Sequence, residues 1–187
     1  MPEILEYDRV RALAYARRWA LDRNPLFFDF TGGGGNCTNF VSQCILAGCC
    51  QRNFTPDFGW YYLSADDRAA AWTGVEFFYN FLVGNVEGVG NGLGPFGREV
   101  GSDEILSLGD VIQLGNADGD YYHTLIVTGY GRRTYLVSAH SNDAYNRPLS
   151  RYNYSRIRYL HIDGYRTEER FTRSCFEGLI TGTSLNV

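Results

Sequence analysis

Apolar residues recur at helical spacing through the first part of the chain and gather into short strand-like blocks after residue 105. Residues 5–22 carry an amphipathic helical pattern, with Val10, Leu13, Ala14 and Trp19 facing inward and the arginines mostly outward. Asn24-Pro25 ends it, because a residue before proline is disfavoured in helical conformation. A short apolar segment, 26–30, leads into the glycine run of Thr31-Gly-Gly-Gly-Gly-Asn-Cys37. Phe40, Val41, Cys44, Ile45 and Gly48 then form the stripe of a helix packed on one side, beginning at Cys37 and ending near Gly48.

Residues 49–63 are aromatic and turn-rich without a clear period. Ser64-Ala-Asp-Asp67 resembles a capping box and predicts a helix running through Trp72, Val75, Tyr79 and Leu82. The glycine-rich stretch 84–101 reads as a long surface loop, a candidate lid on the substrate side. Strands are expected at 111–114, 121–129, 134–140 and 156–162. Helices first and strands afterwards predict an α+β fold with an antiparallel sheet. The 187 residues read as one domain, 1–187, with 165–187 a C-terminal strand or tail.

Composition narrows the chemistry. The net charge of −4 gives no nucleic-acid footprint. All 17 basic residues are arginine, so a phosphate-binding loop that ends in Gly-Lys, Schiff-base catalysis and a Ser–Lys hydrolase are excluded. No G-x-S-x-G elbow occurs. The five cysteines are odd in number and lack a C-x-x-C pair, which indicates neither a disulfide framework nor a zinc knuckle and suits a reducing cytosol. No signal peptide or membrane span fits the sequence as it stands, so a cytoplasmic location is expected unless a signal was removed or the protein is released to act at the cell wall.

Against that background Cys37 is the candidate nucleophile. A helix start presents unpaired N–H groups and the positive end of the dipole, which favour an anionic sulfur and can hold an oxyanion. The free cysteines Cys44, Cys49, Cys50 and Cys175 read as buried small apolar residues. Three histidines are available as bases: His123, His140 and His161. A two-residue turn at Gly131-Arg132 would make paired positions sum to 263, setting His123 directly across from His140 at a Cβ separation of about 4.5–5.5 Å. His140 would then orient His123, with Asn142 the alternative third residue; His161 reads as structural. Asp110 reads as a turn residue. No metal is called for, since a structural zinc site takes four ligands with closely spaced pairs.

The order of cysteine at a helix start, histidine, and a polar residue on the next strand resembles the papain-like cysteine hydrolases. The chain is particularly similar to the bacterial putative amidase domain family and its cell-wall endopeptidase relatives. The matching stretches are Tyr7-Asp-Arg, Gly35-Asn-Cys37-Thr-Asn-Phe-Val-Ser-Gln43, Trp72-Thr, Gly109-Asp-Val-Ile-Gln113, His123-Thr-Leu-Ile-Val-Thr128 and Ser138-Ala-His140-Ser. Asn36 departs from the aspartate common in relatives. The resemblance implies a papain-like fold, nucleophile Cys37, base His123 and third residue His140. It also implies hydrolysis of a peptide or peptidoglycan stem-peptide amide through a thioester, without a cofactor. The oxyanion would rest on the Cys37 N–H and a second donor from Asn36, Thr38, Asn39 or Gln43, with Trp60, Trp72 and Asn142 as substrate contacts. Acyl transfer or deamidation on the same fold, and a catalytically silent binding protein, are the alternatives.

Overall fold

The computed structural model describes residues 1–168 and 174–185. In chain order the elements are β1 (Glu3–Leu5), α1 (Arg9–Trp19), α2 (Asn36–Cys49), α3 (Ala70–Thr73) and α4 (Val75–Gly84). They continue with β2 (Gly94–Val100), β3 (Val111–Gly115), β4 (Tyr121–Gly131), β5 (Thr134–Ala139) and β6 (Ala144–Pro148). A 3-10 turn at Leu149–Arg151, β7 (Arg156–Thr167) and α5 (Phe176–Thr181) complete the set. The fold is α+β, with every strand pairing antiparallel in the order β1-β7-β3-β4-β5-β6 and β2 on the other edge of β7.

Alternation along the strands gives the sheet two apolar faces. Val111, Ile126, Leu160 and Ile162 face the helical core, built around Phe40, Ile45, Trp60, Trp72 and Phe81. Ile112, Leu114, Leu125, Val127 and Val137 face a second core completed by Leu106 and Leu149. Asp110, just before β3, is a turn residue and also a buried ion-pair centre. Its carboxylate meets Arg9 and His161, each at 2.7 Å, and accepts from the Ser107 and Ile162 N–H groups. Arg9 also donates to the Leu108 and Ile162 carbonyls, fastening α1 to the sheet, and His161 is structural as expected.

Several expectations give way. The first helix is shorter than 5–22, and Val10 is exposed; Ala12, Tyr15, Ala16 and Trp19 form its buried face. α2 is buried on every side rather than along one stripe, because helices and sheet enclose it completely. Ser64 does cap the Asp67 N–H, but within a turn; the helices begin only at Ala70 and Val75. The glycine-rich 84–101 stretch is not a lid: its second half is β2, paired along β7 from Gly94↔Arg166 to Val100↔Tyr159. Of the expected C-terminal strand or tail, 165–167 extend β7 and 176–181 are α5, whereas 169–173 and 186–187 lie outside the described residues.

The cysteine expectation is also corrected. Cys50 and Cys175 form a disulfide across 125 residues, with Cα atoms 5.5 Å apart, joining the end of α2 to the start of α5. No short spacing signals such a pair, since the fold alone brings the two thiols together. Cys37, Cys44 and Cys49 remain free. Thiol titration of the unfolded, non-reduced protein should therefore give three equivalents. Cys175→Ser should lower stability by about 2–4 kcal/mol in urea unfolding, and dithiothreitol should reproduce that loss in the wild type but not in the variant.

Candidate active site

The glycine run places the nucleophile candidate. Gly35 caps α2 at φ 92°, and a Cβ there would lie 2.8 Å from the Thr73 carbonyl oxygen, so both the left-handed turn and the close approach require glycine. The first intrahelical bond runs from the Asn39 N–H to the Gly35 carbonyl. The N–H groups of Asn36, Cys37 and Thr38 thus precede the hydrogen-bond ladder. Cys37 lines a cavity of about 440 Å³ together with His123, Asn36, Asn142, Arg147 and Tyr152. The other two free cysteines are sealed in the core; burial pushes the Cys49 thiol up to about 12 and the Cys44 thiol above its ordinary value.

Two adjacent side chains tie Cys37 to His123. Thr38 Oγ1 lies 2.9 Å from Thr124 Oγ1, so the residue after the cysteine is hydrogen-bonded to the residue after the histidine. Gln113 Nε2 donates to Thr124 Oγ1 at 3.2 Å and to the Val75 carbonyl. Gln113 Oε1 accepts from Arg158 Nε, and the Arg158 guanidinium forks onto Glu76 between the rings of Tyr79 and Tyr121. The buried polar line therefore joins α2, β4, β3, β7 and α4. Thr38, expected as an oxyanion donor, has its hydroxyl engaged in this line.

His123 pairs with Leu114 of β3 beside a bulge between Leu114 and Gly115, the kind of irregularity that re-aims a side chain. Its ring centroid is 5.9 Å from that of Tyr152, and burial lowers its pKa to about 4. His123 is thus a neutral imidazole at pH 7, able to accept a proton.

His140 does not face His123. The hairpin turns at Arg132-Arg133, with Arg133 at φ 61°, so pairs beside it sum to 265; a bulge between Val127 and Gly129 brings the sum to 264. This part of the ladder ends at Ile126↔Ser138, and the 263 register does not occur. His140 is buried and stacked on Phe40 at 4.2 Å. Its Nε2 is 2.9 Å from the Trp19 carbonyl oxygen, which makes Nε2 the protonated nitrogen and leaves Nδ1 to accept from Asn36 Nδ2 at 3.2 Å. Burial, with a smaller contribution from the Arg23 guanidinium, lowers its pKa and keeps the ring neutral. His140 therefore steadies Asn36, the residue before the cysteine.

Other expected contacts move into the scaffold. Trp60 and Trp72 are fully buried and do not line the cavity; their indole N–H groups donate to Ser42 Oγ and Asn39 Oδ1. The Asn39 amide is further used by Phe28 O and Asn36 Oδ1, and Gln43 accepts from Tyr15 Oη. Asn36 and Asn142 do line the cavity, Asn142 at φ 59°.

Residue-by-residue reading of the sequence missed Arg23, whose guanidinium forks onto Asp143 at 2.9 and 3.0 Å, meets Asp29 at 3.2 Å and donates to Thr31 Oγ1. It joins the loop before Cys37 to the loop after His140. Thr124 was missed as well, although its place after His123 mirrors that of Thr38 after Cys37. Tyr152, Arg147 and Arg151 carry no motif.

The chain belongs to the Putative amidase domain family, which it matches over residues 6–162. The chain is also similar to Uncharacterized protein YhbB of Bacillus subtilis (strain 168), 31% identical over 142 residues. That match covers 74% of this chain and 43% of the relative, so the chain spans less than half of the relative's length. No solved structure gives a significant match.

Two outcomes follow from this geometry. Thr124→Val leaves the Thr38 hydroxyl and the Gln113 amide short of a buried partner and should cost about 1–3 kcal/mol; Thr124→Ser should recover most of it in the same denaturation assay. The unfolded chain takes up a proton on position 123 near pH 6.5, whereas the folded protein does so only near 4. Stability should therefore fall as pH drops through that window, by about 3 kcal/mol from His123. The difference between wild-type and His123→Gln urea midpoints across pH 7 to 4 isolates this contribution.

Proposed function

We propose that this protein is a cysteine-dependent amide hydrolase with a papain-like arrangement of its catalytic groups. The observation that carries the reading is the meeting of Cys37 and His123 in one cavity, held together by the Thr38–Thr124 hydrogen bond. The sulfur sits at the start of a 14-residue helix, among N–H groups that precede the ladder, and the neutral imidazole on the neighbouring strand is suited to accept its proton.

In this mechanism Cys37 Sγ attacks the amide carbonyl carbon while His123 takes the thiol proton. The tetrahedral oxyanion rests against the N–H groups at the start of α2. His123 then gives its proton to the departing amine, leaving a thioester on Cys37. Water, deprotonated by His123, attacks that thioester and releases the acid and the free thiol. Asn36 spends its amide N–H groups on His140 Nδ1 and Thr31 Oγ1, so it braces the turn before Cys37 and the backbone N–H groups carry the oxyanion in this scheme. His140 acts through Asn36 as a positioning residue. Peptide amides, including those of peptidoglycan stem peptides, are the substrate class, and no cofactor takes part.

Incubation with purified cell wall should release free amines. Cys37→Ala should abolish the release, and His123→Ala should reduce it by about 100-fold or more. Iodoacetamide should label Cys37 ahead of Cys44 and Cys49, with the rate falling in His123→Ala. Equal, slow labelling of all three free thiols, or amine release that survives Cys37→Ala, contradicts the mechanism.

A further inference from the structure

The end of β6 and the 3-10 turn also line the cavity, and they contribute Arg147 and Arg151 to it. No aspartate or glutamate lines this cavity among the described residues. The chain as a whole is acidic, with net charge −4, so the cleft reverses the sign of the molecule locally. Arg9, Arg11, Arg18, Arg23, Arg98 and Arg158 meet carboxylates, whereas Arg68 and Arg166 meet backbone carbonyls and aromatic faces outside the cavity. Arg147 and Arg151 form no ion pair among the described residues. The Arg147 guanidinium instead lies 4.7 Å from the centre of the Tyr152 ring and reaches the Arg151 carbonyl at 3.4 Å. Tyr152 is in turn the aromatic neighbour of His123. Ring stacking thus holds one guanidinium fork beside the proposed base, and this fork matches the two oxygens of a carboxylate.

We infer that Arg147 and Arg151 form a carboxylate-binding subsite, so that the preferred substrate is a peptide amide bearing a free carboxylate within a residue or two of the bond that is cut. The cavity volume suits a short peptide segment. With no acidic side chain on the lining, an anionic group enters without like-charge repulsion, and a cationic group finds no partner there. The subsite rests on the amide-hydrolase reading of the same cavity for its catalytic meaning, but binding alone can reveal it.

The test uses the stem tetrapeptide L-Ala–γ-D-Glu–L-Lys–D-Ala with its carboxylates free, and the same peptide with every carboxylate converted to carboxamide. Calorimetric titration into the Cys37→Ala protein should show the acid form binding at least about tenfold more tightly, with an affinity that falls as salt rises. In an Arg147→Gln/Arg151→Gln double variant the ratio between the two forms should collapse to near one. If that variant unfolds by circular dichroism, each single substitution should still lower the ratio. Equal binding of acid and amide forms, or a ratio unchanged by both substitutions, overturns the subsite. Turnover on the wild-type protein separates this from the catalytic reading. Hydrolysis without an acid preference removes the subsite and leaves the hydrolase; an arginine-dependent preference without hydrolysis does the reverse.

Discussion

A helix enclosed on every side cannot leave a polar side chain without a partner, and α2 carries Thr38, Asn39, Ser42 and Gln43 within six residues. Each is satisfied from outside the helix. Thr124 of β4 meets Thr38, the Trp72 indole meets Asn39, Trp60 and the Trp72 carbonyl meet Ser42, and Tyr15 of α1 meets Gln43. The helix therefore has one seat, and rotating or sliding it would strand several buried polar atoms at once. That constraint fixes the position of Cys37 at its N-terminus more firmly than apolar packing alone, which tolerates small shifts.

The same logic extends outward in two directions. On the sheet side the line from Thr38 through Thr124 and Gln113 ends in the Arg158–Glu76 pair, where a guanidinium with little solvent access is held by a carboxylate and two aromatic faces. Such a charge is tolerated only because its donors are used. On the loop side, Asn36 with His140, and Arg23 with Thr31 and Asp143, connect the glycine run to the segment after β5. The two histidines do different work. His123 lines the cavity with an imidazole held neutral by burial, and His140 is stacked into the core as a hydrogen-bonded strut.

Regular elements with strong local signals were legible in advance. The positions of α2, β3, β4, β5 and the first half of β7 follow their apolar patterns to within a few residues, and Gly35 announces the turn before Cys37. β2 was hidden because glycines punctuate it, and its pairing along β7 supplies the order that composition withholds. The hairpin register failed for a local reason. Gly131 invited a turn one residue too early, while Arg133 adopts the left-handed conformation that an arginine seldom signals, and a bulge then shifts the ladder again. Because side chains alternate along a strand, such shifts were enough to turn an expected histidine pair into two separate residues.

Taken alone, the sequence determined the α+β class and named the candidates for the proposed chemistry. It offered one cysteine at a glycine-led helix start, histidines in the strand region, and no lysine with which to build the rival nucleophiles or phosphate sites. Only the tertiary structure decided which groups meet. It joined Cys50 to Cys175, tied Thr38 to Thr124, turned Trp60 and Trp72 into core supports, and brought Arg147 and Arg151 to the cleft. The physical reason is separation along the chain. Local pattern reports the conformation of neighbouring residues, whereas a buried hydroxyl, thiol or guanidinium takes partners from 82 to 125 residues away.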